Sequence, residues 1–302
     1  MKHRFHRLVI GKEVSEHMKL FGIREQAEPG AQEVEQTATS EPRPETEASV
    51  AASHVEDASQ ESAPWTAVSV ASRTHVGKVR QNNEDAVIVC GMLCGVADGM
   101  GGHQAGETAS AAARDGLIAA LRDEKPDPAL LQQTVKKVNR QIFLRAQADE
   151  KLRGMGTTVS VIWLGGESVY VAHVGDSRVY RMQQGALRQI TEDHSLVGEM
   201  VRAGAITREQ ASTHPMRNVI TRALGTEGSV EVDLLTVPRR ADDLWLICSD
   251  GLYDMVSNDR IAEILRSHPI EQAADMLLQA ALDGGGSDNI SLVLVKDREG
   301  AQ

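Results

Sequence analysis

The stretch GVADGMGGHQAG, Gly95–Gly106, leads a short apolar run into an aspartate, Asp98, and then into a series of glycines. Glycine-rich turns between a strand and a helix often bind nucleotides, but two common patterns do not fit this one. A dinucleotide-binding fingerprint counted from Gly99 has Gln104 where its third glycine belongs. A P-loop ending at the last glycine has Glu107 where its lysine belongs. The stretch therefore predicts a strand that ends at an aspartate, and its glycines need another explanation.

On both sides of this stretch, short apolar and β-branched segments are bounded by Gly, Asp or Asn, a pattern typical of β-strands. Short turns at 165–167 and 183–185 join neighbouring segments, which indicates antiparallel hairpins. The nine predicted strands are TAVSVAS (66–72), AVIVC (86–90), MLCGVAD (92–98), TTVSVIWL (157–164), SVYVAHV (168–174), RVYRM (178–182), VEVDLLTV (230–237), DLWLICS (243–249) and NISLVLV (289–295).

Helical segments arrive in pairs between these strands. Asp127 fits the N-cap of one of them, with a proline in its first turn. The simplest arrangement that buries all these elements is an α+β fold, a central antiparallel β-sandwich flanked on both faces by pairs of helices, in α-β-β-α layers. The predicted helices are Glu107–Leu121, Pro128–Ala148, one beginning near Asn258 and one running from Pro269 to Leu282.

The first part of the chain has a different composition. Between Glu25 and Glu61, ten acidic residues stand against one basic residue, Arg43, and this stretch supplies most of the net charge of −11. Such a segment buries too little apolar surface to offset its chain entropy. We therefore predict an N-terminal extension at 1–63, acidic and disordered from about residue 25, and one folded domain at 64–298.

The sequence also disfavours several classes of protein. It has no patch of Lys and Arg with interleaved aromatic residues, so we expect no nucleic-acid partner. The apolar run of the first 24 residues is only Leu8–Ile10, too short for a signal peptide or a membrane span. The three cysteines, Cys90, Cys94 and Cys248, lie in apolar runs and are expected to be buried thiols. This usage predicts a reducing, cytoplasmic location.

Three aspartates lie at strand ends: Asp98, Asp250 and Asp288. If the last two predicted strands pair antiparallel, Asp250 and Asp288 are neighbours at one sheet edge. Converging carboxylates favour a divalent cation, and an all-oxygen site suits Mg²⁺ or Mn²⁺. Gly99 would let the backbone offer a carbonyl oxygen to such a site. An aspartate before glycine or asparagine is also a common turn signal, and spacing alone does not decide between these interpretations.

The segment GKVRQNNEDA (77–86) precedes a strand and carries Arg80, Glu84 and Asp85. An exposed charge and a solvated turn are ordinary interpretations of these residues. Beside a metal centre, however, an arginine fork matches the oxygens of a phosphate ester.

Seven motifs, in this order, resemble the metal-dependent protein phosphatases of type 2C (the PPM family) in their bacterial form, and the resemblance covers Val68–Lys296. The motifs are GKVRQNNEDA, VADGMGGH, GMGTTVSV, HVGDSRVYR, TEDHS, ICSDGLYD and GGSDNISLVLV. The resemblance implies a monomeric enzyme with a dinuclear Mg²⁺ or Mn²⁺ centre. It implies hydrolysis of phosphoserine and phosphothreonine without a covalent intermediate, in opposition to bacterial Ser/Thr kinases.

The resemblance also implies roles for single residues. Asp98 would bridge both metals, the carbonyl of Gly99 would bind one, and Asp250 and Asp288 would complete the other. Arg80 would bind the substrate phosphate. Glu84 and Asp85 would hold metal-bound waters, and Asp176 would join Asp250 at a third, weaker metal.

The source of the leaving-group proton stays open. Met100 stands where animal members have a histidine, and His103 is either a general acid or a residue that orders the loop. The polar block at 196–225 matches the family's flap beside the active site. The consecutive residues 193–195, Asp-His-Ser, are expected to form a turn, since members of a catalytic triad are not adjacent in sequence.

Two other functions remain open at this stage: a catalytically weak or dead scaffold that binds phosphoproteins, and a hydrolase of small phosphate esters. The acidic extension is interpreted as a segment that docks partners or solvates the chain.

Overall fold

A computed structural model describes residues 68–101 and 105–297. The predicted extension at 1–63 and His103 lie outside the described residues, so both predictions concerning them remain untested. Eleven strands are described: β1 Val68–His75, β2 Asp85–Cys90, β3 Leu93–Met100, β4 Gly156–Thr157, β5 Val159–Leu164, β6 Ser168–Val174, β7 Arg178–Gln183, β8 Ala186–Gln189, β9 Asp233–Pro238, β10 Leu244–Cys248 and β11 Ile290–Asp297. The helices are α1 Ala105–Leu121, α2 Pro128–Ala148, α3 Leu196–Arg202, α4 Arg208–Ser212, α5 Asp250–Tyr253, α6 Asn258–Ser267 and α7 Ile270–Asp283, with a 3₁₀ turn at Glu150–Leu152.

The strands form two antiparallel sheets. One has the order β1-β11-β10-β7-β8, and the other has the order β2-β3-β5-β6-β9 with β4 paired to β3. Each of the nine predicted strands is present. The predicted strand at 157–164 is divided at Thr158 into the two-residue strand β4 and strand β5, and the short polar edge strand β8, ALRQ, was not predicted.

Side chains from both sheets fill the interior of the sandwich, among them Val96, Ile162, Trp245 and Val293. Helices α1 and α2 pack on the outer face of the six-stranded sheet, and α6 and α7 pack on that of the five-stranded sheet. The central strands are therefore covered on both faces. This explains why the run Ile290–Val295 is apolar and buried without alternation. The predicted α-β-β-α layering is confirmed.

Local signals place the helix starts. Asp127 accepts a hydrogen bond from the amide of Leu130 at the start of α2, as predicted. In α4, Thr207 and Gln210 form a reciprocal capping box. Cys94 and Cys248 are buried free thiols, but the expectation of burial is wrong for Cys90, which ends edge strand β2 and is partly exposed. Among the described residues, every helix is too short or too polar to cross a membrane.

Candidate metal centre

Asp98 lies near the end of β3, opposite Asp85 of β2 in the antiparallel register. Its backbone amide donates to Thr158 Oγ1 at 2.9 Å, and its carbonyl accepts from the amide of Thr158 at 2.9 Å and from Thr157 Oγ1 at 3.0 Å. Both threonines are fully buried, and each hydroxyl bonds to the Asp98 backbone. The Asp98 backbone is therefore fixed by neighbours on two sides, while its own side chain is 4% exposed.

Gly99 occupies a position where a side chain does not fit. Its amide donates to the carbonyl of Glu84 at 3.0 Å. A Cβ at Gly99 would lie 2.5 Å from that carbonyl oxygen and closer still to the carbonyl of Gly106. The carboxylate of Glu84 in turn lies against Gly106, where a Cβ would approach Oε2 to 2.7 Å. These glycines let the strand end, the Glu84 segment and the start of α1 pack closely.

Asp250 and Asp288 come from the ends of the paired strands β10 and β11. The amide of Ser249 donates to the carbonyl of Ser291 at 3.0 Å, and the amide of Ser291 donates to Ser249 Oγ at 3.0 Å. A Cβ at Gly251 would meet the backbone of Asn289. The segments 249–251 and 288–291 therefore lie side by side, which places both aspartates at one edge of the five-stranded sheet, as the antiparallel pairing predicts.

Two polar side chains join this edge to the other sheet. Ser249 Oγ donates to Asp85 Oδ2 at 2.7 Å. Asn289 Oδ1 accepts from the amide of Glu84 at 2.8 Å, and its Nδ2 donates to the carbonyls of Val76 and Asn82 at 2.9 Å. We call the segments 84–85, 98–99, 249–251 and 288–291 together the carboxylate end of the sandwich. Ser249 and Asn289 were not predicted as site residues, because their side chains bond to segments far away in the chain.

Arg80 lies at the rim of the carboxylate end. Its Nη2 donates to Asp288 Oδ2 at 2.8 Å, and 42% of its side chain is exposed. A guanidinium carries five N–H donors, so this ion pair leaves donors available to a phosphate at the surface.

Asp176 lies in the turn between β6 and β7 and is 4% exposed. Its carbonyl accepts from the hydroxyl of Tyr253 at 2.9 Å. With Asp250 it lines a cavity of about 370 Å³, whose far side is formed by α3 and α4 of the predicted flap. The structure therefore places Asp176 and Asp250 on one cavity.

The donors at the carboxylate end fit a hard divalent cation. Asp98, Asp176 and Asp250 are all buried, and buried carboxylates stay ionised only with compensating positive charge or hydrogen bonds. Within 68–101 and 105–297, no three His, Cys, Asp or Glu side chains lie close enough together, as they stand, to hold a metal ion. The donor set therefore suits Mg²⁺ or Mn²⁺, which take oxygen ligands, Mg²⁺ keeping several waters, rather than zinc held by His and Cys.

The residues Asp193, His194 and Ser195 have three separate partners. Asp193 accepts from Arg178, Ser195 caps α3, and His194 Nδ1 accepts from the amide of Gly175 at 3.0 Å. The three side chains do not form a triad, as expected, but the predicted turn is wrong, because Ser195 is extended and forms an antiparallel β-bridge with Ile220.

A second histidine, His173, packs against His194 with ring centroids 4.7 Å apart. Both of its ring nitrogens have partners: Nδ1 pairs with Ser160 Oγ at 2.8 Å and Nε2 with the carbonyl of Glu192 at 2.9 Å. Burial lowers the pKa of His173 to about 4, and burial also lowers the pKa of His194. Both rings are therefore neutral near pH 7 and act as structural groups.

Comparisons with known proteins agree with this geometry. The family model "Protein phosphatase 2C" matches residues 71–283. The serine/threonine phosphatase stp of Listeria innocua is 42% identical over 242 residues, which cover 74% of this chain and 94% of that protein. The protein phosphatase PstP of Mycobacterium tuberculosis is 42% identical over 227 residues, covering 74% of this chain and 44% of PstP.

Solved structures give the same result. A crystal structure of the Mycobacterium tuberculosis phosphatase PstP/Ppp has a TM-score of 0.74 and 40% identity, and the match covers 77% of this chain and all of that one. The catalytic domain of PstP in complex with two manganese ions has a TM-score of 0.72 and 38% identity. The match covers 77% of this chain and 99% of that one. The chain belongs to the protein phosphatase 2C family.

Proposed function

We propose that the protein hydrolyses phosphoserine and phosphothreonine in proteins, using two Mg²⁺ or Mn²⁺ ions at the carboxylate end. The observation that supports this proposal is that Ser249 and Asn289 bond to the Glu84–Asp85 segment, which pairs with Asp98, so that the segments carrying Asp98, Asp250 and Asp288 lie at one end of the sandwich. The related structure with two manganese ions supports the choice of metal. When bound, such ions would lower the pKa of a bound water and so supply the nucleophile.

The chain's own residues would divide the remaining work. Asp98, the carbonyl of Gly99, Asp250 and Asp288 would hold the ions, with Glu84 and Asp85 orienting their waters. Arg80, exposed at the rim, would bind the phosphate and stabilise the charge that develops on it. Asp176 would hold a further ion with Asp250. His103 would either donate the leaving-group proton or order the glycine-rich loop.

The partners follow from this chemistry. Proteins phosphorylated by bacterial Ser/Thr kinases would be the substrates, and the segment 196–225 would act as the flap that borders them. The three free thiols support a cytoplasmic location, because such thiols persist in reducing compartments. We further propose a monomeric chain whose residues 1–63 dock partners.

The test is release of phosphate from a phosphothreonine peptide with Mn²⁺, with and without EDTA, by the wild type and by Asp250→Asn. EDTA should abolish turnover, and Asp250→Asn should reduce it about 100-fold or more, since the lost ligand is worth several kcal/mol of transition-state stabilisation. Asp123→Asn is the matched control, because its side chain is 90% exposed at the surface. Turnover with EDTA, or full activity of Asp250→Asn, would contradict the mechanism. Phosphopeptide binding with bound metal and no turnover would favour a scaffold.

A further inference from the structure

Tyr253 joins two segments that carry buried aspartates. It ends the short helix α5, which begins with Asp250. Its hydroxyl donates to the carbonyl of Asp176 at 2.9 Å. One hydrogen bond therefore fixes the spacing between the backbones of Asp176 and Asp250.

The ring of Tyr253 is held by Arg178. The guanidinium carbon of Arg178 lies 3.5 Å from the ring centroid, close enough for a strong cation–π contact. The same guanidinium binds the carboxylate of Asp193 through two nitrogens, with Nε to Oδ1 at 3.0 Å and Nη2 to Oδ2 at 2.6 Å. Its remaining nitrogen, Nη1, donates to the hydroxyl of Tyr180 at 3.1 Å. Arg178 thus connects Tyr253 to Asp193.

Asp193 lies at the root of the flap, three residues before Leu196, the first residue of α3. Its neighbour His194 makes two backbone contacts with Gly175, next to Asp176: the His194 amide donates to the Gly175 carbonyl at 2.7 Å, and the Gly175 amide donates to Nδ1. Arg202, at the end of α3, donates to the carbonyl of Asp193 at 2.9 Å. The start of the flap and the Asp176 turn are therefore held to each other as well as to Tyr253.

We propose that Tyr253 is a positioning residue that sets the spacing of Asp176 and Asp250 and, through Arg178 and Asp193, couples the flap to the cation they would hold. This inference rests on the proposed function for the cation site alone, and it adds that metal affinity and flap order depend on each other. Because such coupling is reciprocal, it can be measured either as a change in metal affinity or as a change in flap order.

The first experiment measures Mn²⁺ binding to the full chain by isothermal titration calorimetry, without substrate. Tyr253→Phe keeps the ring on Arg178 and removes only the hydroxyl. It should lower the Mn²⁺ affinity of the weakest resolved site about 10-fold. This is the lower end of the loss that follows when a group that orients a metal ligand is removed. Tyr180→Phe is the matched control, because it removes a buried hydroxyl that also contacts Arg178 but does not reach Asp176. It should bind Mn²⁺ like the wild type.

The second experiment measures flap order by trypsin cleavage at Arg202, Arg208 and Arg217, all of which line the flap cavity. Mn²⁺ should slow cleavage at these sites in the wild type and in Tyr180→Phe, and less so in Tyr253→Phe. Asp193→Asn, which weakens the link at the flap root, should weaken Mn²⁺ binding and remove the protection.

Unchanged Mn²⁺ binding in Tyr253→Phe or Asp193→Asn, or an equal loss in Tyr180→Phe, would overturn the proposal. Melting temperatures of the metal-free variants separate lost positioning from lost folding, since the two Tyr→Phe variants should melt alike. A wild type that binds no Mn²⁺ would instead contradict the proposed function.

Discussion

The carboxylate end and the flap, 196–225, are fixed by different chemistry. At the carboxylate end, neutral Thr, Ser and Asn side chains bond to backbone over long sequence distances, as Thr158 does to Asp98 and Asn289 does to Glu84. The flap has few buried residues of its own, Val197 being one of them in α3. It is held at its two roots, 192–195 and 219–222, by charged and histidine side chains. Two neighbouring parts of the molecule are therefore held by different kinds of side chain, neutral at the carboxylate end and ionisable at the flap roots.

The second root shows this difference most clearly. Arg222 Nη1 donates to Asp233 Oδ1 at 2.7 Å, and His194 Nε2 contacts Asp233 Oδ2 at 3.2 Å. Burial alone would raise the pKa of Asp233, but His194 and Arg222 outweigh it, so the pKa lies below its ordinary value. Arg222 therefore anchors the flap to β9. Histidine and aspartate side chains such as these make the roots sensitive to pH, whereas the Thr, Ser and Asn side chains of the carboxylate end do not titrate.

The largest expected effect is the dependence of folding stability on pH at the buried His173. An unfolded histidine takes up a proton as pH falls through 6.5, while the folded ring takes one up only near pH 4. The folded state therefore loses stability as pH falls across this window, by about 3 kcal/mol, since each pKa unit is worth about 1.36 kcal/mol. The measurement is urea unfolding between pH 7 and 4 with EDTA present.

His173→Gln should reduce this slope, because the titrating ring is gone. The neutral variant Thr158→Val changes the carboxylate end and should keep the wild-type slope. Equal slopes in His173→Gln and the wild type would contradict the assignment of this pH sensitivity to His173, the β6 residue that bonds to the flap root at Glu192.

The next effect tests the carboxylate end. Thr158→Val keeps the side-chain shape but removes the hydroxyl that accepts from the amide of Asp98 and pairs with Ser177 Oγ at 2.7 Å. The buried amide is left without this partner, so the free energy of unfolding should fall by about 2 kcal/mol. Phosphate release should fall as well, because Asp98 is less well fixed.

Urea unfolding at pH 7 measures the stability change, with Thr236→Val as control. Thr236 lies exposed on edge strand β9, where such a substitution should change stability by less than about 0.5 kcal/mol. If the free energy of unfolding fell as much in Thr236→Val as in Thr158→Val, the effect would come from replacing any strand threonine by valine and not from the lost bond to Asp98.

Much of the fold could be predicted from the sequence because each element has its own local signal. The run Ile290–Val295 is apolar because two layers cover it, and Asp127 caps a helix that begins where the sequence indicates. Strand β8 has no such signal, since pairing with a neighbour defines it rather than any pattern of its own.

The candidate site could be predicted only in part. Asp98 and Asp250 stand in recognisable motifs at strand ends. Ser249, Asn289 and Tyr253 do not, because their roles depend on partners 164, 205 and 77 residues away. Such pairings depend on how the two sheets and the helices pack together. The local pattern of apolar and polar residues does not predict that packing.

The smallest expected effect lies within the flap itself. Thr207 and Gln210 cap α4, whose residues are all exposed or partly exposed. Thr207→Ala removes the side-chain acceptor for the Gln210 amide, which costs a helix about 1 kcal/mol. Because α4 packs little apolar surface, it should open on its own, so amide exchange at 208–212 should speed up about 5-fold while the urea midpoint stays unchanged. Thr213→Ala, at the other end of α4, should leave exchange near the wild-type rate. A shift of the urea midpoint in Thr207→Ala would instead show that the flap unfolds together with the sandwich, and the contrast between flap and carboxylate end would be lost.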